Sequence, residues 1–134
     1  MGNLTEPTKY QRGLAKIREA HGESGVATVE ALNDIAPALA QFIAEFAYAD
    51  VISRPGLDMK TREMATVATL VALGNAAPQL KIHIHCALNV GCTHQEIIEL
   101  MVHMAVYAGF PAALNGIAAA RDVFNENRSN TGAG

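Results

Sequence analysis

Apolar residues recur at spacings of three and four along most of the chain, which is the period of helices that bury one face. The pattern is clearest after Thr93, where the apolar positions are Ile97, Ile98, Met101, Val102, Ala105 and Val106. Thr93 and Glu96 have the spacing of a capping box at the start of this helix. Gly109 and Pro111 mark its end. This segment therefore predicts one well-delimited helix.

Five further segments show the same pattern with their own start and stop signals. They span residues 8–21, 28–50, 59–73, 78–90 and 112–125. Gly22 and Gly25 are expected to end the first of these helices, and Pro37 to kink or interrupt the second. Asp58 offers an N-cap to the third, which Gly74 terminates. With no internal repeat and only short turns between helices, the chain is predicted to be an all-α bundle of about six helices.

The segment before Gly91 is ambiguous, because apolar and polar residues alternate strictly over residues 80–85. Alternation taken alone is the period of a half-buried strand, which would place His83 and His85 on one face. A helix would instead turn these two residues about 200° apart. Pro78 suits a first helical turn, and the apolar run continues past the length of a strand. We favour the helix.

Composition determines what the core is made of. Half of the 134 residues are hydrophobic, yet the chain has four Phe, three Tyr and no Trp, so small aliphatic side chains must fill the core. Helices of this kind leave apolar surface for a neighbouring subunit to cover, which predicts a homo-oligomer. The length predicts a single domain over residues 1–134, ordered over about 8–125 with polar tails at both ends.

Charge and hydropathy limit the partners. The net charge of −3 comes with no basic cluster, which argues against a nucleic-acid partner. The uncharged run over residues 64–80 contains Gly74 and Pro78 and is shorter than the ~20 residues of a membrane helix. No signal peptide precedes the first helix. We therefore expect a soluble cytoplasmic protein without a membrane partner.

Residues 79–111 hold four of the five histidines and both cysteines, so candidate chemistry concentrates there. His83 has an ordinary interpretation as a helix histidine bonded to water or a carbonyl. In a helix, however, it lies one turn from Cys86, and an imidazole near a thiol favours the reactive thiolate. Cys86 and Cys92 lack the C-x-x-C spacing of a redox pair, so two buried, unreactive thiols are the simpler interpretation.

A metal site is the weaker alternative for the histidines. His83, His85 and His103 could supply ligands, but the helix directs the first two apart. No carboxylate stands at a familiar ligand spacing. We expect no metal.

Glu63 has two interpretations. In the first turn of its helix, an acid offsets the helix dipole and needs no further role. Alternatively, because an apolar helix follows it, Glu63 lies at the mouth of a pocket where removal from water suits a carboxyl group to proton transfer. The residues alone leave both interpretations open.

Five stretches together resemble the carboxymuconolactone decarboxylase family, which shares a superfamily with the AhpD-like alkylhydroperoxidases. They are YQRGL (10–14), RPGLDMKTRE (54–63), ALG (72–74), HIHCALNVGCTHQEI (83–97) and AVYAGFPAALN (105–115). The similarity covers about residues 10–124. It implies a compact all-helical subunit in a ring-like homohexamer, with no organic cofactor or metal.

For the decarboxylase branch, the resemblance implies loss of CO2 from 4-carboxymuconolactone, giving the β-ketoadipate enol-lactone of protocatechuate breakdown. The departing carboxylate leaves an electron pair that moves toward the lactone carbonyl, so the site must stabilise an oxyanion and supply a proton. His83 falls at the family's recurring histidine and is the predicted proton donor or oxyanion partner. Glu63 would orient or reprotonate it. Lys81, His85 and Arg62 are predicted to bind the acidic substrate.

The chain departs from the decarboxylase pattern in three respects. His85 stands where an arginine is common, Glu63 where a serine is common, and no tryptophan precedes the RPGLD segment. These differences extend the predicted substrates to a related small acidic lactone or ring acid.

Two alternatives to a decarboxylase remain. The peroxidase branch shares the Glu63 and His83 positions, but its two cysteines would fall on Ala76 and Gln79, which leaves only a one-cysteine variant using Cys86. The other alternative is a non-enzymatic oligomer that binds a small ligand in the same pocket.

Overall fold

The computed structural model describes residues 5–131, and these form helices without any strand. The α-helices are α1 Lys9–Ala31, α2 Pro37–Phe42, α3 Met59–Leu73, α4 Ala77–Asn89, α5 His94–Tyr107 and α6 Phe110–Thr131. A 3-10 turn, Leu32–Asp34, precedes α2, and a π-helix, Ile43–Ile52, follows it. The predicted all-α class and the six helices are confirmed. Of the predicted polar tails, residues 1–4 and 132–134 lie outside the described residues.

The chain divides into two compact units, Met1–Leu57 and Asp58–Gly134. Each unit has its own apolar core. The core of the first is made of Ile17, Val26, Val29, Ala40, Ala44 and Tyr48. That of the second includes Val67, Val71, Leu80, Ile84, Ile97, Met101 and Val123. Small and branched aliphatic residues dominate both cores, as the composition predicted.

The first unit differs from the prediction at its helix boundaries. The helix expected over residues 8–21 begins at Thr8 with a capping box but does not end at Gly22. Gly22 takes a left-handed φ of 71°, and helical structure resumes and continues to Ala31. The continuation buries Val26 and Val29 in the core of this unit, which outweighs the local break.

The helix expected over residues 28–50 is correspondingly divided. Pro37 interrupts it, which is one of the two predicted outcomes, and occupies the first turn of α2, because a residue without an amide hydrogen is suited to a helix start. After α2 the backbone widens, and the Ser53 amide donates to the Tyr48 carbonyl at 3.0 Å, five residues back. Nothing in the apolar pattern distinguishes this π-helix from an α-helix.

In the second unit the predicted helix boundaries are largely confirmed. The Asp58 side chain accepts from the Thr61 amide at 2.8 Å, and Gly74 ends α3 with a φ of 74°. The ambiguous alternating segment is helical, within α4. At its end the Cys92 amide donates to the Ala87 carbonyl at 2.8 Å, which closes the turn around Gly91.

Helices α5 and α6 complete this unit. Thr93 and Glu96 form the predicted reciprocal capping box. Helix α6 extends past the predicted end at residue 125, because no glycine or proline interrupts the chain before Gly132. No helix in residues 5–131 combines the length and apolar character needed to cross a membrane.

Candidate functional site

Glu63 and His83 form the central contact of the candidate site. The Nδ1 atom of His83 lies 2.9 Å from Oε2 of Glu63. The Glu63 side chain is 3% exposed, whereas that of His83 is 22% exposed. Among the described side chains, Glu63 is the one charged group that is buried. A carboxylate removed from water needs such a partner.

Packing of α3 and α4 produces this contact. Glu63 shares a helix face with Val67 and Val71, at four-residue intervals, so the stripe that buries the two valines also buries the acid. On α4, Leu80 and Ile84 are buried in the same core and flank His83 in the chain. The apolar pattern of the two helices therefore places an acid and an imidazole in hydrogen-bond contact.

The contact between Glu63 and His83 determines which ring nitrogen of His83 is available for proton transfer. With Glu63 ionised, His83 donates its Nδ1 hydrogen to the carboxylate, and Nε2 is the ring nitrogen that can exchange a proton with another group. The carboxylate also fixes the plane of the ring. The two residues predicted as catalytic are thus side by side, and their catalytic roles remain a prediction.

Lys81 and His85 lie on a different side of α4. Lys81 Nζ is 2.7 Å from Oδ2 of Asp122, and His85 Nε2 is 2.9 Å from Oε2 of Glu126, both on α6. The hydrogen bond to Asp122 raises the pKa of Lys81. For either residue to bind substrate, as predicted, the substrate would have to compete with a carboxylate of α6.

Arg62, the third predicted substrate-binding residue, precedes Glu63 in α3. It is half-buried. Its backbone carbonyl oxygen accepts a hydrogen bond from the Thr66 hydroxyl, with 2.9 Å between the two oxygens. Among Arg62, Lys81 and His85, Arg62 is the one that directly neighbours a residue of the Glu63–His83 contact in the sequence.

The thiol of Cys86 is buried one helical turn from His83. Burial, and secondarily the negative charge of Glu63, raises its pKa well above the usual range for a thiol. Burial also raises the pKa of Cys92, and both cysteines are free. Because the thiolate is the reactive form, these surroundings disfavour the predicted redox role of Cys86.

Around the contact between Glu63 and His83, three side chains bring together atoms that can bind a metal ion. The carboxylate of Glu63, the imidazole of His83 and the sulfur of Cys86 lie within 4.8 Å of one another. Zinc accepts this set of ligands, but only after the thiol loses its proton. The raised pKa of Cys86 opposes that loss. The expected absence of a metal stays a prediction.

The first unit contains a second polar pair that sequence reasoning missed. His21 Nε2 lies 2.5 Å from the hydroxyl of the buried Tyr48, with the two rings edge to face. The sequence alone assigns His21 no role beyond being the last residue of the first predicted helix. No local signal could reveal the contact, because its partner is 27 residues away in the π-helix.

Fold and site together define an all-α protein with a buried acid–imidazole contact between consecutive helices. The family model described as the carboxymuconolactone decarboxylase family matches residues 37–122. The chain belongs to the carboxymuconolactone decarboxylase family.

The chain is similar to three known proteins, two of which are named decarboxylases. The 4-carboxymuconolactone decarboxylase of Acinetobacter baylyi is 37% identical over 124 residues, which cover 92% of each chain. An uncharacterized 15.0 kDa protein from the nqo9-nqo10 intergenic region of Paracoccus denitrificans is 30% identical, over 73% of this chain and 74% of that protein. The nitrosuccinic acid decarboxylase npaB of Metarhizium robertsii is 34% identical, over 64% of this chain and 59% of that protein.

Proposed function

We propose that this protein is a cofactor-independent decarboxylase of a small acid, with 4-carboxymuconolactone as the first substrate. The observation that carries the proposal is the buried Glu63–His83 contact. An imidazole held by a buried carboxylate is the kind of group that supplies a proton in general acid catalysis. Two relatives are named decarboxylases, and one of them, named for this substrate, is similar along nearly the whole chain.

The reaction breaks the carbon–carbon bond to the substrate carboxylate and releases CO2. The electron pair of that bond moves through the conjugated ring to the lactone carbonyl, which gives a dienolate. His83 delivers a proton from Nε2 to a carbon of the dienolate, and solvent later replaces that proton. Glu63 accepts the Nδ1 hydrogen and stabilises the ring in its charged form before transfer.

Substrate binding needs a cation near this pair. Arg62 is the favoured candidate because it adjoins Glu63 and is half-buried, where a guanidinium holds a carboxylate through two parallel hydrogen bonds. Lys81 and His85 remain candidates on the side of α4 that carries the ion pairs with α6.

The test is release of CO2 by the purified protein in the presence of EDTA. 4-Carboxymuconolactone and nitrosuccinate are supplied separately, because each is the acid in one relative's name. We expect turnover of the lactone that EDTA leaves unchanged. Turnover of nitrosuccinate alone would redirect the proposal to another acid. If the folded protein released CO2 from neither acid, the decarboxylase proposal would be wrong.

A substitution at Glu63 tests the proposed pair. Glu63→Gln preserves size but not the charge that supports a protonated His83, so we expect turnover to fall by about 10²- to 10⁴-fold. Glu99→Gln is the matched control, since Glu99 is an exposed acid on α5. Equal rates in the two variants would remove Glu63 from the mechanism.

We also propose that the protein assembles as a homohexamer. Large apolar side chains, between 57% and 77% exposed, line one stretch of α5 and α6: Val102, Val106, Tyr107, Phe110 and Leu114. A surface of this kind is typical of a site of association. A second copy of the chain would cover it.

A further inference from the structure

A groove in the second unit lies apart from the residues discussed so far. It has a volume of about 410 Å³ and is bordered by the start of α5 and by α6. None of its lining residues belongs to the contact between Glu63 and His83 or is one of the predicted substrate-binding residues. Its volume lies within the range of small-molecule sites.

Flat apolar surface forms part of the groove. The rings of His94 and Phe124 stack with centroids 3.9 Å apart and planes 9° from parallel. Ile98 and Ile117, both half-buried, add aliphatic surface beside them. This lining suits a planar ring more than an extended polar chain.

The charged side chains that line the groove are all positive. Arg121 and Arg128 both line the groove from α6, two helical turns apart. The lining includes no carboxylate. The nearby acids of α6, Asp122 and Glu126, are paired with side chains of α4. A bound anion would therefore meet the guanidinium of Arg121, and none of the residues that line the groove is a carboxylate that would repel it.

We propose that this groove binds a small aromatic carboxylate. The guanidinium of Arg121 holds the carboxylate through paired hydrogen bonds, Arg128 adds a second positive charge, and the ring of the ligand packs against Phe124. The site is distinct from the proposed catalytic contact. Binding requires no turnover, so the proposal stands or falls separately from the decarboxylase assignment.

Benzoate is the probe, and benzamide is its neutral counterpart of nearly the same shape. Calorimetric titration of the full-length protein is expected to show binding of benzoate and at least tenfold weaker binding of benzamide. Arg121→Gln should weaken benzoate binding about tenfold or more, because it removes a charge-assisted contact. Arg18→Gln, which removes one positive charge from the first unit, should leave benzoate affinity unchanged.

Two further variants locate the site. Phe124→Leu keeps an apolar side chain but removes the flat ring, and should weaken benzoate binding several-fold. His83→Gln should leave benzoate affinity unchanged. Equal affinity for benzoate in wild type and Arg121→Gln would overturn the proposal. Loss of benzoate binding in His83→Gln would also overturn it, because the acid would then occupy the proposed catalytic site.

Discussion

At the scale of single residues, the proposed catalysis depends on one hydrogen bond between an acid and an imidazole. Glu63 is buried, so His83 serves the stability of the fold as well as the proposed chemistry. Removing His83 without replacing its hydrogen-bond donor would leave a buried carboxylate unpaired. Variants at this position therefore need a side chain that still donates to Glu63.

The two buried thiols predict a dependence of stability on pH. Cys86 has a folded-state pKa raised above its usual value near 9.0, so it binds its proton more tightly in the folded state than in the unfolded state. Its contribution to stability is fully present below pH 9 and is lost as the pH rises further. The free energy of unfolding in urea should therefore fall as the pH rises from 9 to 10.5.

Other groups also titrate in this range, so Cys86→Ala is the necessary comparison. That variant should lose less stability than wild type over the same interval, because alanine has no proton to release. An identical fall in both proteins would show that the Cys86 thiol ionises as readily in the folded chain as in the unfolded one.

Sequence reasoning at this scale reached His83 but could not choose a role for Glu63. Glu63 shares its buried stripe with Val67 and Val71, but α3 is apolar on nearly every side after its first turn, so only tertiary packing decides which stripe faces the core. The same limit applies to His85, whose partner Glu126 is 41 residues away. The contact between His21 and Tyr48 was missed for the same reason.

At the scale of helices, boundaries set by local chemistry were predictable. Asp58 and Thr93 cap the helices that follow them, and Gly74 and Gly91 take the left-handed conformations that end helices. Each of these signals acts within four residues. The errors occurred where tertiary packing decides, as in the continuation of α1 beyond Gly22.

Gly13 marks a close approach between α1 and the π-helix in the first unit. A Cβ atom at this position would lie 1.8 Å from the carbonyl oxygen of Ala44, which is a backbone atom and cannot move alone. We expect Gly13→Ala to destabilise the protein by about 1–3 kcal/mol, measured by urea unfolding.

Gly56→Ala is the control for this substitution, because a Cβ atom there meets nothing within 4 Å. It should change stability by no more than about 0.5 kcal/mol. Equal stability of the Gly13→Ala variant and wild type would mean that the two helices are not held as closely as the structure describes.

At the scale of the whole molecule, the proposed hexamer explains why a chain with two small apolar cores still exposes large apolar side chains. Light scattering after size exclusion should give six times the subunit mass for the wild-type protein. Val106→Glu places a charge within the exposed apolar stretch of α5 and α6, and should shift the protein to smaller species.

Gln95→Glu is the matched control, because it adds the same charge to an exposed polar position on α5. It should leave the assembly intact. A wild-type protein that is monomeric at micromolar concentration would contradict the proposed assembly, as would a Val106→Glu variant that retains the full mass.

The central claim is that His83, held by Glu63, supplies the proton in a decarboxylation. The most direct measurement compares CO2 release from 4-carboxymuconolactone by wild type, His83→Gln and His103→Ala, each first shown to be folded. Glutamine can still donate to Glu63 but cannot transfer a proton, so the His83→Gln rate should fall by about 10²- to 10⁴-fold while His103→Ala matches wild type. Wild-type turnover by the His83→Gln variant, or no CO2 from folded wild-type protein, would contradict the claim.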